Sequence, residues 1–343
     1  MKKIFIILCF LFLSIELISA QGLKENSIGQ NYYGEEGKII AYISGPATML
    51  NLLEEDFESD KGDVLDIVQL GCGPLRQRIW SEAESGSIRA DVFWGSDPLL
   101  YEALSEKGLL EKYTPKGFDN LSNKFRLDKP YTLVNERYGV IIYNKEKVLS
   151  DITSYYDLLN PKYKNQIVHA DPSQSSTALA LIANLWNLEE ESGAYYKKLV
   201  ENGLFLSKKN SDVPSKIQEG EFILGIAPHD AVWRLKKIAK KKKYETPLEI
   251  CWPKEGAIAI QRPIAISKNT ARFEKNEELA RAFVDYLISE KAQKITTSFG
   301  FISVLENEKL LKRISADIRV IDINWDDLAK KQVEINEEFE KLF

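Results

Sequence analysis

From residue 38 the chain alternates between short, largely apolar runs and longer runs in which apolar side chains recur every three or four positions. KIIAYIS (38–44), DVLDIVQLG (63–71) and ADVFWGSD (90–97) have the first pattern and predict strands. GPATMLNLLEEDFES (45–59), PLRQRIWSEAES (74–85) and PLLYEALSEKG (98–108) have the second and predict helices. This βαβαβα order implies a parallel sheet with helices on its faces. In such sheets ligands sit beyond the carboxyl ends of the strands, here the loops SGPAT, GCGP and GSDP.

Near Tyr131 the pattern starts afresh. RYGVIIYNKEKV and QIVHADP read as new strands, followed by a long helix, SSTALALIANLWNL. GEFILGIAPHD is a strand and loop leading into the helix AVWRLKKIAKKKK. AIAIQRPIAISK then returns as a strand, and the last third, including EELARAFVDYLIS, is helical. A chain that crosses over and comes back predicts two lobes joined by a hinge. Residues 36–134 with 263–310 form the first and 135–262 the second, with 311–343 a helical segment against both.

Composition changes this picture in few places. With 343 residues, 44% hydrophobic and 28% charged, and no repeats, the chain can bury substantial cores. The exception is the start, MKKIFIILCFLFLSIELISAQG, where Lys2 and Lys3 precede an apolar run ending in the small-residue site Ile18-Ser19-Ala20. The run is shorter than the roughly 20 residues a membrane span needs, so it reads as a secretory signal cleaved after Ala20, leaving the protein in the periplasm. The net charge of −5 argues against nucleic acid as a partner. Cys72 and Cys251 read as unpaired packing residues, and no Cys/His cluster has metal-site spacing.

ADVFWGSDPLLYEALSEKGLLEKY, YYDLLNPKYKNQIVHADPSQSSTA and GEFILGIAPHD, in this order and spacing, resemble the ferric-iron-type periplasmic substrate-binding proteins of ABC importers. The resemblance covers nearly all of the chain after the signal. It implies a type II periplasmic-binding fold, two α/β lobes closing on a ligand, and delivery to an inner-membrane ABC permease by a monomer without a cofactor.

Members of that family bind ferric iron, phosphonates, thiamine or sugar phosphates, so the ligand must come from the site. The iron binders carry adjacent tyrosines where this chain has His229 and Asp230. Tyr32-Tyr33, Tyr155-Tyr156 and Tyr195-Tyr196 lie elsewhere and read as packing residues, the last pair with one ring packed and one in water.

The loops instead offer an anion cradle. Ser44, Gly45 and Thr48 open the first helix, Cys72 and Gly73 the second, Ser96 precedes the third, and Ser175, Ser176 and Thr177 open the long helix of the second lobe. Helix N-termini present unpaired N–H groups and the positive end of the macrodipole, and hydroxyls add donors. Each residue also has a plain capping role. Arg76, Arg78 and Arg262 are candidate phosphate partners, Arg262 the favoured one, and Trp94 and Trp252 candidate ring faces.

His229, Asp230 and Glu255, with Glu249 the less favoured carboxylate, suit a polyhydroxylated end, because carboxylates accept from sugar hydroxyls. This combination resembles the hexose-phosphate-binding branch of the family. His169 reads as a satisfied core histidine and Lys240–Lys243 as a solvated helix end. A ferric-iron binder, an organophosphate or phosphonate binder and a secreted phosphohydrolase remain as alternatives, although no nucleophile motif supports the last.

Overall fold

The computed structural model describes residues 34–148, 150–306 and 318–343. The expected signal segment, its cleavage point, Tyr32-Tyr33 and the residues after 310 up to 317 lie outside the described residues.

In chain order the first half contains β1 (Ile39–Ile43), α1 (Ala47–Glu58), β2 (Leu65–Gln69), α2 (Cys72–Glu84), β3 (Val92–Trp94) and α3 (Pro98–Glu106). The long strand β4 (Thr132–Asn144) leads to β5 (Ile167–Ala170), α4 (Ser176–Leu185), α5 (Ala194–Glu201), β6 (Leu204–Ser207) and α6 (Asp212–Glu219). Then come β7 (Leu224–Pro228), α7 (His229–Lys242), β8 (Leu248–Cys251) and β9 (Ile258–Ile266). α8 (Glu274–Leu287), α9 (Glu290–Ser298), β10 (Ile302–Ser303) and α10 (Trp325–Glu340) complete it.

The strands form one mixed sheet in the order β2-β1-β3-β9-β4-β7-β5-β6, with β8 and β10 pairing on β4. β2-β1-β3 are mutually parallel, as are β7-β5-β6. β4 and β9 join these two sets, antiparallel to each other, with a bulge between Leu133 and Asn135. The expected parallel sheets are therefore present, linked through two long strands. The boundaries expected at 134/135 and 262/263 fall inside those strands.

Burial explains the sequence patterns. All five residues of β1 are buried, as a strand covered on both faces requires. Successive side chains then serve opposite cores: Ile39, Ile43 and Trp94 pack beneath α1 and α8, while Tyr42, Phe93 and Tyr101 pack on the other face. In the other half Ile167, Leu224 and Ile226 face α4 and α5, and Val168 and Ala227 face α6 and α7. α3 starts on Asp97, whose carboxylate accepts from Leu100 N–H, with Pro98 in the first turn. α10 reaches both halves: Trp325 clusters with Leu99, Leu179 and Ala180, and Ile335 and Phe339 enter the core beneath α4 and α5.

Candidate functional site

The carboxyl ends of β1, β2 and β3 deliver Ser44, Cys72 and Ser96, and the end of β5 leads to Ser175–Thr177. The two sets of loops touch. Thr177 Oγ1 donates to the Ser96 carbonyl (3.1 Å) and to Cys72 Sγ (3.4 Å), and Ser44 Oγ lies 2.9 Å from the same sulfur. Gly73 meets the opposing backbone so closely that a Cβ there would lie 2.3 Å from the Gln174 carbonyl oxygen. Glycine is the residue this approach allows. Ser175 serves as the N-cap of α4, accepting from Ala178 N–H (3.3 Å) and from Asn210 Nδ2 (2.6 Å), whereas the buried Ser176 Oγ has no hydrogen-bond partner. Gly45 backs onto Arg262, with a Cβ position 3.6 Å from Nη2. Thr48 is exposed on the first turn of α1 and does not join the group.

Arg262, on β9, occupies the centre of this region. Its side chain is among the largest fully buried ones, held between the Trp94 ring at 4.5 Å and the Phe301 ring at 4.3 Å. Nη1 donates to Asn135 Oδ1 (3.2 Å) and Nη2 to the Ser44 carbonyl. Nε has no partner, nor have the neighbouring Asn135 Nδ2 and Trp94 Nε1. Among the described residues no carboxylate forms an ion pair with Arg262. Burial, followed by the like charge of Arg137, pushes its pKa down to about 9. A cation in this position is strongly destabilised unless an anion joins it.

The residues expected at the sugar end are differently engaged. His229 is fully buried; its Nδ1 accepts from Tyr138 N–H (2.9 Å), and Nε2–H donates to the Gly300 carbonyl (3.0 Å). Burial lowers its pKa to about 4, so the ring is neutral. Asp230 is bound by Arg137 Nε (2.7 Å) and Nη2 (2.6 Å) and by Arg234 Nη1. Burial alone would raise its pKa, but the two guanidiniums hold it well below the usual carboxylate range. Glu255 accepts from Ser154 Oγ (2.5 Å) and Tyr155 N–H (3.2 Å), which caps a short 3-10 turn, and Glu249 pairs with Lys236 (2.8 Å). His229, Asp230 and Glu255 thus each bond to groups of the protein itself in this structure.

The other candidates are mostly structural. Arg76 is paired with Asp97 (2.9 Å) and Gln332, and Arg78 with Glu82 (3.1 Å). Trp252 packs on Tyr138 and His229. His169 is a buried core residue whose Nδ1 is bonded to the Ala170 carbonyl (2.7 Å). Its Nε2 has no partner, so it is only half satisfied. Tyr195 and Tyr196 are both buried, contrary to the expectation that one faces water; in the Tyr155-Tyr156 pair it is Tyr156 that is exposed. Cys72 and Cys251 are both free. Among the described residues no cluster of three or more His, Cys, Asp and Glu side chains is placed to hold a metal ion.

Asn135, Arg137, Arg234 and Phe301 were absent from the sequence reading. A left-handed Gly300 (φ +97°) packed against Asp230 sets the position of Phe301, whose ring lies 5.7 Å from the Arg137 guanidinium carbon. Arg137 and Arg262 therefore flank one aromatic ring.

A family model described as bacterial extracellular solute-binding protein matches residues 88–331. The chain is 29% identical over 219 residues to a spermidine/putrescine-binding periplasmic protein of Salmonella typhimurium, covering 58% of this chain and 59% of that one. Among solved structures, the periplasmic binding protein AfuA from Actinobacillus pleuropneumoniae, with exogenous fructose-6-phosphate bound, aligns with a TM-score of 0.74 at 23% identity. The alignment covers 90% of this chain and 98% of AfuA. A ferric binding protein from Campylobacter jejuni aligns with a TM-score of 0.75 at 19% identity, covering 89% and 99%. The shared fold is thus the type II periplasmic-binding fold, in proteins whose ligands include a polyamine, a sugar phosphate and iron.

Proposed function

Because this chain belongs to the bacterial extracellular solute-binding protein family, we propose that it captures a phosphorylated sugar, a hexose phosphate, for an ABC importer. The observation that carries the ligand class is Arg262: a fully buried guanidinium without a carboxylate partner, bonded to the Ser44 carbonyl beside the Ser44–Cys72–Thr177 contacts that join the starts of α2 and α4. An oxyanion there would accept from Arg262 Nε and Asn135 Nδ2, neighbouring donors that lack partners.

In this reading Ser44, Gly45, Cys72, Gly73, Ser96, Ser175 and Thr177 shape the phosphate end, and Trp94 provides an indole face and N–H. His229 and Asp230 fix the wall through Gly300 and Arg137, and Glu255 holds the loop behind it. Closure of the two halves on the ligand then follows from contacts each side makes only in the closed form. The positive lining favours an anion over ferric ion or a polyamine, each of which needs acidic or phenolate ligands.

Calorimetric titration with glucose 6-phosphate, glucose and ferric citrate tests the proposal. Saturable binding of glucose 6-phosphate with none of glucose is expected. Tight uptake of iron without any sugar phosphate would replace the ligand while leaving the fold untouched.

A further inference from the structure

Three guanidiniums stand in this region, and two of them share one buried carboxylate. Arg137 and Arg234 both bind Asp230, and Arg262 has no acidic partner. The neighbouring charges cancel among themselves: Asp97 pairs with Arg76, and Glu136 accepts from Lys124 (2.6 Å) and from Tyr138 Oη (2.5 Å). Both nitrogens of His229 are engaged by backbone, so it adds no charge.

The groups are contiguous. Trp94, Arg262, Phe301 and Arg137 alternate ring and guanidinium, with centroid distances of 4.5, 4.3 and 5.7 Å, and Asp230 and Arg234 extend the series into α7. Summed over Arg137, Arg234, Arg262 and Asp230, the formal charge is +2 before any ligand arrives.

We infer that the cleft selects a dianion: it takes a phosphomonoester and discriminates against sugars carrying a single negative charge, such as sulfate esters and carboxylates. This rests on the phosphorylated-sugar reading above and adds the charge state to it. One negative charge leaves one formal positive charge of this group uncompensated, part of it buried, and two neutralise it. Asp230 does not repel the ligand, because its charge is already shared between two arginines. Arg137 and Arg234 act on the ligand through Asp230 and Phe301, so they are positioning residues for charge selection.

The test is calorimetry at pH 8 with glucose 6-phosphate, a dianion there, and glucose 6-sulfate, a monoanion of the same sugar. The phosphate ester is expected to bind at least about tenfold more tightly, a difference of about 1.4 kcal/mol. Equal affinities overturn the inference while the anionic-sugar reading stands; binding of neither ester overturns both.

Arg234→Gln supplies an independent arm, since its partly exposed side chain can be replaced without opening the core. It lowers the formal charge to +1 and should reduce the phosphate-over-sulfate ratio by about threefold or more. Arg234→Lys should restore the ratio, whereas a merely structural role would weaken both esters in parallel and contradict the assignment.

Discussion

Gly73→Ala separates folding from closure. The residue lies in the first turn of α2, and no left-handed φ is involved, so the backbone accepts alanine. Within a helix alanine is better than glycine by roughly 0.5–1 kcal/mol. The added Cβ, however, would stand 2.3 Å from the Gln174 oxygen and 2.8 Å from its carbonyl carbon, both backbone atoms. Ordinary contact lies near 3.5 Å, so the two halves must move apart by about 1 Å. Overpacking of this kind costs about 1–3 kcal/mol, and it falls on the closed form alone. The variant should therefore unfold at the wild-type temperature or slightly above it without ligand, while its Kd for glucose 6-phosphate rises by roughly 5- to 150-fold. Differential scanning calorimetry and titration calorimetry read the two quantities. Wild-type affinity would refute the close approach of residues 73 and 174 in the bound state, and a large loss of thermal stability would refute the separation of folding from closure.

Arg262→Met removes a buried, unpaired cation, so thermal stability should hold or rise, while affinity for glucose 6-phosphate falls by about 100-fold or more; titration and melting curves check both. The two histidines, held neutral with pKa values lowered to about 4, should show no imidazole titration by NMR between pH 8 and pH 5. Because their folded pKa values lie below the unfolded value of 6.5, each contributes stability that is complete above about pH 6.5. That contribution is lost as the pH falls through 4, by roughly 3 kcal/mol each in all, of which about 2 kcal/mol each is lost between pH 7 and 5, where denaturant melts measure it. Glu255→Ala should lower stability by about 1 kcal/mol, as loss of a cap does, with Kd changed less than about twofold; a large affinity loss would return Glu255 to the ligand.

Local pattern made much of the fold legible. The runs at 38–44, 63–71 and 90–97 contain β1, β2 and β3, and their trailing glycine and serine loops do converge with Ser175–Thr177. Arg262 was visible as the one charged residue of a largely apolar strand. Hidden from the sequence were contacts set by the sheet order: Arg137 reaches Asp230 across 93 positions because β4 and β7 are neighbours. Asn135 meets Arg262 through the bulged β4–β9 pairing. A histidine beside an aspartate at the end of a strand looks like a polar site until Tyr138, Gly300, Arg137 and Arg234 claim every atom. Which polar atoms remain unpaired is a property of the assembled structure, and it is what brings Arg262 forward in the proposed site.

The most direct test of the phosphate-binding account is a crystal structure with glucose 6-phosphate. Phosphate oxygens are expected within about 3 Å of Arg262 Nε and Asn135 Nδ2, at the N-terminus of α4. A ligand bound with its phosphate away from Arg262, leaving those donors unpaired, would contradict the account.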